Sequence, residues 1–156
     1  MLEPRRATSQ DTSGILELVA EVYAEYGCVL DVENDEPNLP NTVGYFRETG
    51  GNLWVIEDEG IVKGVVGVFL SADAGELKTL YLHHSLRGRG LGRKLVYLTI
   101  DHARRAGKER MILWSDTRFV EEHRLYRDMG FTKLGTRKLD DVNNSVEYGF
   151  ERRLVA

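Results

Sequence analysis

The sequence predicts a single α/β domain of the α+β kind, in which about four helices flank a mixed, mostly antiparallel central sheet of about six to seven strands. Strand-like apolar runs recur between helix-like runs along the whole chain. Two of them, 52–58 and 61–70, are separated only by Glu59-Gly60, which is a hairpin pattern. Further on, a strand, a helix and a strand follow one another. That order implies a right-handed crossover and at least one parallel strand pair.

Length and composition indicate one ordinary globular domain over residues 1–156. With 156 residues, 42% of them hydrophobic, the chain can bury roughly 70% of its unfolded surface. The formal net charge of -4 argues against a general binder of nucleic acids or membrane surfaces. The single cysteine, Cys28, cannot form an internal disulfide, and residues 1–6 lack a signal-peptide pattern. We therefore expect a cytoplasmic enzyme or binding domain, with no membrane span.

The first part of the chain predicts an edge strand, a helix and a loop. A brief strand is expected over 3–8. Apolar residues from Ile15 to Tyr26 then recur at helical spacing, with cap candidates at 11–13 and Gly27 after them. Residues 31–40 lose this periodicity and combine two prolines with four carboxylates. This acidic stretch is predicted to be a loop, either a solvated connection or an acidic lip that attracts a cationic substrate.

The middle of the chain predicts a short helix over 41–49 and then three strands. The run 61–70 is nearly all apolar, which is typical of a central strand buried on both faces. The strand after it is predicted over 76–82. Simple alternation predicts one face of that strand to be shared by Leu77, Thr79 and Tyr81.

The last part of the chain predicts two further helices and three strands. The predicted elements are a helix over 91–106 ending at Gly107, a strand over 111–115, a helix over 121–129 stopped by Gly130, and strands over 131–136 and 145–154 around the polar loop 140–144.

Residues 87–94 form a basic, glycine-rich turn between a predicted strand and a predicted helix. Glycine permits positive φ and a close backbone approach, and the first amides of a helix have no internal partner. A phosphate is the natural ligand of such a turn. Three arginines and Lys94 add countercharge, which favours a cofactor that carries a pyrophosphate over a single carboxylate.

Two other phosphate-binding motifs are excluded by spacing. A dinucleotide fingerprint would need its third glycine where Arg93 stands. A nucleoside triphosphate loop needs a lysine and then a hydroxyl residue after its last glycine, but Gly92 is followed by Arg93, Lys94 and Leu95. Without a hydroxyl to hold a metal, we expect the anion to bind through amides and arginines alone, with no metal.

The chain resembles the GNAT superfamily of acetyl-CoA-dependent N-acetyltransferases over about residues 5–154. Arg87, Gly90 and Gly92 match the family pattern Q/R-x-x-G-x-G/A. The segment 80–86 looks like the family's fourth strand and entry turn. The segment 125–131 is similar to its C-terminal tyrosine, glycine and phenylalanine signature.

Two positions depart from that family. His84 stands where the family often has proline, a change expected to alter only the turn. Phe119 stands where the family commonly has an asparagine that contacts the cofactor, so that contact is not expected here. Phe119 is predicted either to pack against the cofactor or to join the core.

The resemblance implies a binding mode for acetyl-CoA, the expected cosubstrate. Its pyrophosphate would lie on the amides of the glycine turn, and its pantetheine arm would pair with the strand before that turn. The backbone N–H of Leu82 would polarise the thioester carbonyl, as in an oxyanion hole. The residues expected to bind acetyl-CoA are Leu80, Tyr81, Leu82, Arg87, Gly88, Arg89, Gly90, Leu91, Gly92, Arg93 and Lys94.

Transfer to an amine needs a base, because a primary amine with a pKa of about 10.4 is protonated at neutral pH. Glu76 is the first candidate, since some family members carry their catalytic glutamate at its offset from Arg87. Asp116, just after the fifth strand, is the second candidate and could act through water. Tyr126 is predicted to protonate the departing thiolate. No covalent enzyme intermediate is then required.

The acceptor is expected to be a cationic amine: a polyamine, an aminoglycoside, a lysine side chain or a peptide N-terminus. The acidic stretch at 31–36 and the pair Asp140-Asp141 belong to the two loops that flank the acceptor entrance in the family that the chain resembles. The residues expected to contact the acceptor are Tyr26, Asp31, Glu33 and Trp114.

Two rival functions remain at this point. The first is a non-catalytic, acyl-CoA-binding regulatory domain of the same fold, in which Glu76 and Tyr126 are structural. The second is a nucleic-acid module that uses the basic turn, which the acidic net charge and the lack of aromatic residues in that turn argue against. Homodimer formation is left open.

Overall fold

A mixed seven-stranded sheet with helices on both faces forms the domain, in a computed structural model that describes residues 1–154. Its strands are β1 Arg5–Arg6, β2 Asn52–Asp58, β3 Ile61–Leu70, β4 Ala74–Leu82, β5 Arg110–Asp116, β6 Thr132–Lys138 and β7 Val146–Arg153. Its helices are α1 Thr12–Glu25, α2 Thr42–Glu48, α3 Leu91–Arg105 and α4 Val120–Asp128. These elements confirm the predicted fold class and the predicted element order.

The sheet has the strand order β1-β2-β3-β4-β5-β7-β6. Its neighbours are antiparallel except β4 and β5, which α3 connects as a parallel pair. This pair is the crossover that the strand-helix-strand order predicts. It is also short, since it begins at Ala74 opposite Arg110 and reaches only Leu77 opposite Leu113. Beyond those residues the two strands separate, which leaves a gap in the middle of the sheet.

A β-bulge at Thr79 changes which way β4 aims its side chains. Gly67 pairs with Lys78 and Val65 pairs with Tyr81, so β4 carries one extra residue between these pairs. Thr79 adopts a φ of 61°, a left-handed conformation that costs a β-branched residue free energy. The prediction that Leu77, Thr79 and Tyr81 share one face is therefore wrong. Leu77 packs on the α3 side of the sheet, whereas Tyr81 packs on the α1 side.

Two hydrophobic cores cover the two faces of the sheet. On one face α3 buries a stripe at helical spacing against the sheet, and Tyr126 of α4 joins the same core. On the other face α1 and α2 bury their apolar residues. The α3 residues in the first core are Leu91, Leu95, Val96, Ile100 and Ala103. The α1 residues in the second are Ile15, Leu18, Val19 and Val22. Both helices thereby hold β4 firmly beside the gap.

Candidate active site

Two cavities meet where β4 and β5 separate. The larger, of about 340 Å³, lies between β4, β5, α4 and two polar loops, 34–36 and 139–147. The smaller, of about 230 Å³, lies along the glycine turn and the start of α3; we call it the glycine-loop cleft. Four residues line both spaces: Tyr26, Leu80, Phe119 and Glu122. The shared walls make the two spaces neighbouring parts of one site.

The glycine turn has the geometry of an anion site. Gly88 and Gly90 both have a φ of 78°, and Gly90 directly precedes the first turn of α3. A Cβ atom at either glycine would meet no atom within 4 Å, so the space above the turn is open to a ligand. The unpaired amides at the start of α3 face an anion bound there. This backbone fits a pyrophosphate group.

The predicted cations of this turn differ in their positions. Arg87 and Arg93 line the glycine-loop cleft, whereas Arg89 and Lys94 line neither cavity in the part of the chain that the structure describes. Lys94 is instead paired with Glu3 at 2.8 Å. The remaining predicted cosubstrate residues are distributed over the two spaces. Those lining the cleft are Leu80, Leu82, Gly88, Gly90, Leu91 and Gly92, and Tyr81 lines the larger cavity.

Arg87 braces the end of β4. Its guanidinium donates to both carboxylate oxygens of Glu25 on α1, at 2.8 and 3.1 Å. It also donates to the carbonyl oxygen of Leu82, from Nε at 3.1 Å and from Nη2 at 3.0 Å. Bidentate charge-assisted bonds of this kind fix orientation. Arg87 therefore acts on the strand end as well as on the cleft.

The N–H group of Leu82 points into the gap of the sheet. The next residue, His83, donates its N–H to Lys63 of β3 at 2.8 Å. Successive N–H groups along a strand point to opposite sides, so that of Leu82 points away from β3, to the side where β5 has separated. The predicted oxyanion donor therefore has the required direction.

A carboxyl and a phenol lie one helical turn apart on α4. Glu122 and Tyr126 occupy positions i and i+4, and both line the larger cavity. Burial raises the pKa of the Glu122 carboxyl to about 8; the charge of Arg87 opposes this shift and that of Asp116 adds to it. Burial, and secondarily Glu122, raises the pKa of Tyr126 well above its ordinary value. At neutral pH the phenol is protonated, while the carboxyl titrates close to the working range.

The two carboxylates predicted from the sequence are placed differently. Glu76 is half-buried on β4 and lines neither cavity in the described part of the chain. Asp116 does line the larger cavity, but its carboxylate accepts from Arg118 Nη1 at 2.8 Å and from the Arg118 backbone N–H at 2.9 Å. The structure therefore brings Asp116 and Tyr126 to the site and leaves Glu76 outside its walls.

The predicted acceptor residues also divide into two groups. Tyr26 and Trp114 line the larger cavity, whereas Asp31 and Glu33 line neither space among residues 1–154. Asp31 instead accepts from the backbone and the side-chain amide of Asn34, which shapes its own turn. The carboxyls of the acidic stretch that do line the cavity are Asp35 and Glu36.

Glu36 ends a short chain of hydroxyl groups in the larger cavity. Tyr23 of α1 donates to Glu36 Oε1 at 3.3 Å, and the Tyr81 hydroxyl lies 3.5 Å from that of Tyr23. Burial raises the pKa of Glu36, while the Tyr23 hydrogen bond and the charge of Lys78 oppose the shift. Phe119 packs edge-on against Tyr26, with ring centroids 4.8 Å apart. The cavity wall is thus aromatic and acidic.

Acidic groups outnumber basic groups around the larger cavity. The seven carboxyls that line it are Asp35, Glu36, Asp116, Glu122, Asp140, Asp141 and Glu147, and the two cations are Lys78 and Arg118. Such a wall attracts positive charge.

No helix of the described residues, 1–154, has the length and apolar character that crossing a membrane requires.

Comparison with known proteins gives one consistent family. The model of the acetyltransferase (GNAT) family matches residues 15–131. An uncharacterized N-acetyltransferase of Escherichia coli, YjgM, is 33% identical over 136 residues, which cover 83% of this chain and 81% of the relative. The L-methionine sulfoximine/L-methionine sulfone acetyltransferase of Salmonella typhimurium is 36% identical over 88 residues, 53% of this chain and 52% of the relative.

Solved structures share the fold. An acetyltransferase of the GNAT family from Staphylococcus aureus has a TM-score of 0.86 at 19% identity and covers 99% of this chain and 100% of its own. The structure of yncA from Salmonella typhimurium, solved with its cofactor acetyl-CoA, has a TM-score of 0.77 at 24% identity and covers 100% of this chain and 95% of its own. At these identities the likeness establishes the fold.

The half-buried carboxyl of Glu122, whose pKa is raised by burial, should cost stability at alkaline pH. The unfolded chain ionises this group near its ordinary pKa of 4.5, and the folded chain ionises it near 8. The free energy of unfolding that this group contributes therefore falls as pH rises between those values. We expect the Tm of Glu122→Gln relative to that of the wild type to be higher at pH 8.5 than at pH 4 by about 2 °C or more. Calorimetry at both pH values checks this, and a Tm difference independent of pH would contradict it.

Proposed function

The chain belongs to the acetyltransferase (GNAT) family and is an acetyltransferase, and we propose that it moves the acetyl group of acetyl-CoA directly to a cationic amine, with Glu122 as base and Tyr126 as acid. One observation carries the proposal: the Glu122 carboxyl lines both cavities, one helical turn from the buried phenol of Tyr126. Acetyl-CoA supplies an acyl thioester. The residues of this chain bind the cosubstrate and transfer the protons.

The glycine-loop cleft and the end of β4 hold the cosubstrate. Amides at the start of α3 bind the pyrophosphate, and Arg93 adds charge from the cleft wall. Arg87 donates to the carbonyl oxygen of Leu82 and so keeps the end of β4 in place. The Leu82 N–H then donates to the thioester carbonyl oxygen and stabilises the negative charge that develops on it. Because this donor is fixed before the reaction, little reorganisation is needed.

Glu122 and Tyr126 move the two protons of the transfer. Glu122 removes a proton from the acceptor ammonium or from the attacking amine, since a base that titrates near the working pH is the most effective. The amine nitrogen forms a bond to the carbonyl carbon, and the carbon–sulfur bond breaks. Tyr126 gives its proton to the departing thiolate, and its raised pKa keeps that proton available at neutral pH. No enzyme atom bonds to the acetyl group.

Glu122 is a better base than either carboxylate that the sequence predicts. Asp116 is held by Arg118 through two bonds, one from the guanidinium and one from the backbone. Glu76 lies on β4, five residues before Tyr81, and lines neither cavity in the described residues 1–154. In contrast, Glu122 touches both the space for the acceptor and the space for the cosubstrate.

The acceptor is a cationic amine that enters the larger cavity. The carboxyl excess of that wall favours a cation over an anion of the same size. Glu36, held by Tyr23, offers a partner for the positive charge of the acceptor in a poorly solvated position. Aromatic faces of Tyr26 and Phe119 add favourable contacts for an ammonium or its carbon chain.

Removing either proton-transfer group should slow turnover. We expect Glu122→Gln and Tyr126→Phe each to lower kcat by about 10²- to 10⁴-fold, because each variant lacks one general acid or base. Glu76→Gln is the matched control, because Glu76 is a carboxyl on β4 that lies outside the cavity walls of the described residues. This variant should keep kcat near the wild-type value. CoA release assayed with an amine panel measures this. Loss of activity in Glu76→Gln with normal activity in Glu122→Gln would assign the base to β4.

A negative charge in the glycine turn should weaken cosubstrate binding. Gly90→Glu places a carboxylate beside the pyrophosphate seat, so we expect acetyl-CoA affinity to fall at least about tenfold. Gly107→Glu is the matched control: Gly107 has a φ of 76° against 78° at Gly90, and neither site crowds a Cβ atom, but Gly107 follows the other end of α3. Calorimetric titration with acetyl-CoA compares the two. Equal affinity in both variants would refute the proposed seat.

The charge of Glu36 should matter for the acceptor alone. We expect Glu36→Gln to raise KM for cationic amines by about tenfold while KM for acetyl-CoA stays unchanged, since a charged contact to the acceptor is lost. Glu33→Gln, on the same stretch but exposed and outside the cavity walls, is the control. Steady-state kinetics with paired cationic and neutral amines measures the difference. A preference for acidic amines in the wild type would contradict the acceptor class.

A further inference from the structure

Three side chains that bind metals well lie together outside both cavities. Glu21 projects from α1, and His83 and His84 follow the end of β4. One ligand atom from each lies within 4.8 Å of the other two. His83 Nε2 and Glu21 Oε1 are 3.2 Å apart, and the two imidazole centroids are 4.2 Å apart. The proposed acetyl transfer uses none of them.

The donor set and its spacing match those of a zinc site. Two imidazoles and one carboxylate form a known tetrahedral zinc ligand set, in which water takes the fourth position. With bonds of about 2.0 to 2.1 Å, tetrahedral geometry separates ligand atoms by about 3.4 Å. His83 and Glu21 already meet that separation, at 3.2 Å. His84 is exposed, so its side chain can move the remaining distance without disturbing the core.

Ser85 orients the His83 ring. Its hydroxyl lies 2.7 Å from His83 Nδ1, and its backbone N–H donates to the same nitrogen at 3.1 Å. Metal on Nε2 requires the proton on Nδ1, which then donates to the Ser85 hydroxyl, while the Ser85 N–H loses its bond to the ring. A hydrogen-bonded second nitrogen is the usual support of a metal-bound histidine.

The backbone on both sides of the cluster is already fixed. The His83 N–H is bonded to Lys63 of β3 at 2.8 Å. One turn along α1 from Glu21, the bidentate pair between Glu25 and Arg87 joins the same two elements. Because α1 and the end of β4 are held together without metal, binding need not order the chain.

We propose that Glu21, His83 and His84 form a surface Zn²⁺ site that ties α1 to the end of β4. The metal takes no part in the acetyl transfer. Its ligand His83 directly follows Leu82, and its ligand His84 lies three residues before Arg87. The metal therefore stabilises the strand end that presents the proposed oxyanion donor. The site stands on its ligand geometry and is independent of the proposed acceptor and base.

Titration of the untagged full-length chain tests the site. With ZnCl₂ added in a calorimeter, we expect saturable binding of one Zn²⁺ per chain and a raised Tm. His84→Ala and Glu21→Gln should each weaken binding at least about tenfold, because each removes one of three protein ligands. MgCl₂ should give no binding, since magnesium prefers oxygen ligands. Co²⁺, added as a visible probe, should give the absorption of a four-coordinate complex in the wild type and not in His84→Ala or Glu21→Gln.

His102→Ala is the matched control, because His102 is a partly exposed histidine on α3, hydrogen-bonded to Gly50 and outside the cluster. It should bind Zn²⁺ as the wild type does. With EDTA present, all three variants should transfer acetyl groups at the wild-type rate, which shows that they fold. The proposal is overturned by the lack of saturable binding below about 1 mM Zn²⁺. It is equally overturned by binding that survives both cluster variants, or by equal loss in His102→Ala.

Discussion

The separation of β4 from β5 after Leu77 is the constraint on which the rest of the site depends. An N–H group without a partner inside a sheet is costly unless a ligand or water meets it, and this gap leaves the Leu82 N–H directed away from β3 toward the site. The same gap lets the two cavities adjoin. The bulge at Thr79 then turns Tyr81 to the α1 side, next to Tyr23, and so shapes the wall of the larger cavity. Strand geometry thus prepares both halves of the site.

Burial raises the pKa of the proposed base, Glu122, toward neutral pH. A carboxylate in water titrates too low to be an efficient base at neutral pH. Glu122 escapes that limit because α4 places it where the two cavities adjoin, and burial among the residues packed there raises its pKa. Arg87 opposes that shift while its two carbonyl contacts hold Leu82. One arginine therefore couples the charge of the proposed base to the position of the proposed oxyanion donor.

Local patterns predicted most of the fold and most of the residues that line the glycine-loop cleft. The glycine turn could be predicted because its φ values and its amides are properties of a few neighbouring residues. The proposed base, Glu122, could not be predicted, because desolvation depends on what packs around α4, and its spacing from Tyr126 was the only signal in the sequence. The bulge at Thr79 was missed for a similar reason: alternation assumes a regular strand. Among the acidic residues, composition predicted the charge of the loop but not that Asp35 and Glu36, rather than Asp31 and Glu33, line the larger cavity.

The pH dependence of kcat/KM tests the central claim most directly, since it reports the essential groups of the free enzyme. With a neutral acceptor amine as substrate, so that the acceptor itself does not titrate in the range, the wild type should lose activity as pH falls through about 8, the pKa of Glu122. Glu122→Gln should lose that limb of the profile, and Asp116→Asn should keep it. An unchanged limb near pH 8 in Glu122→Gln would contradict the account.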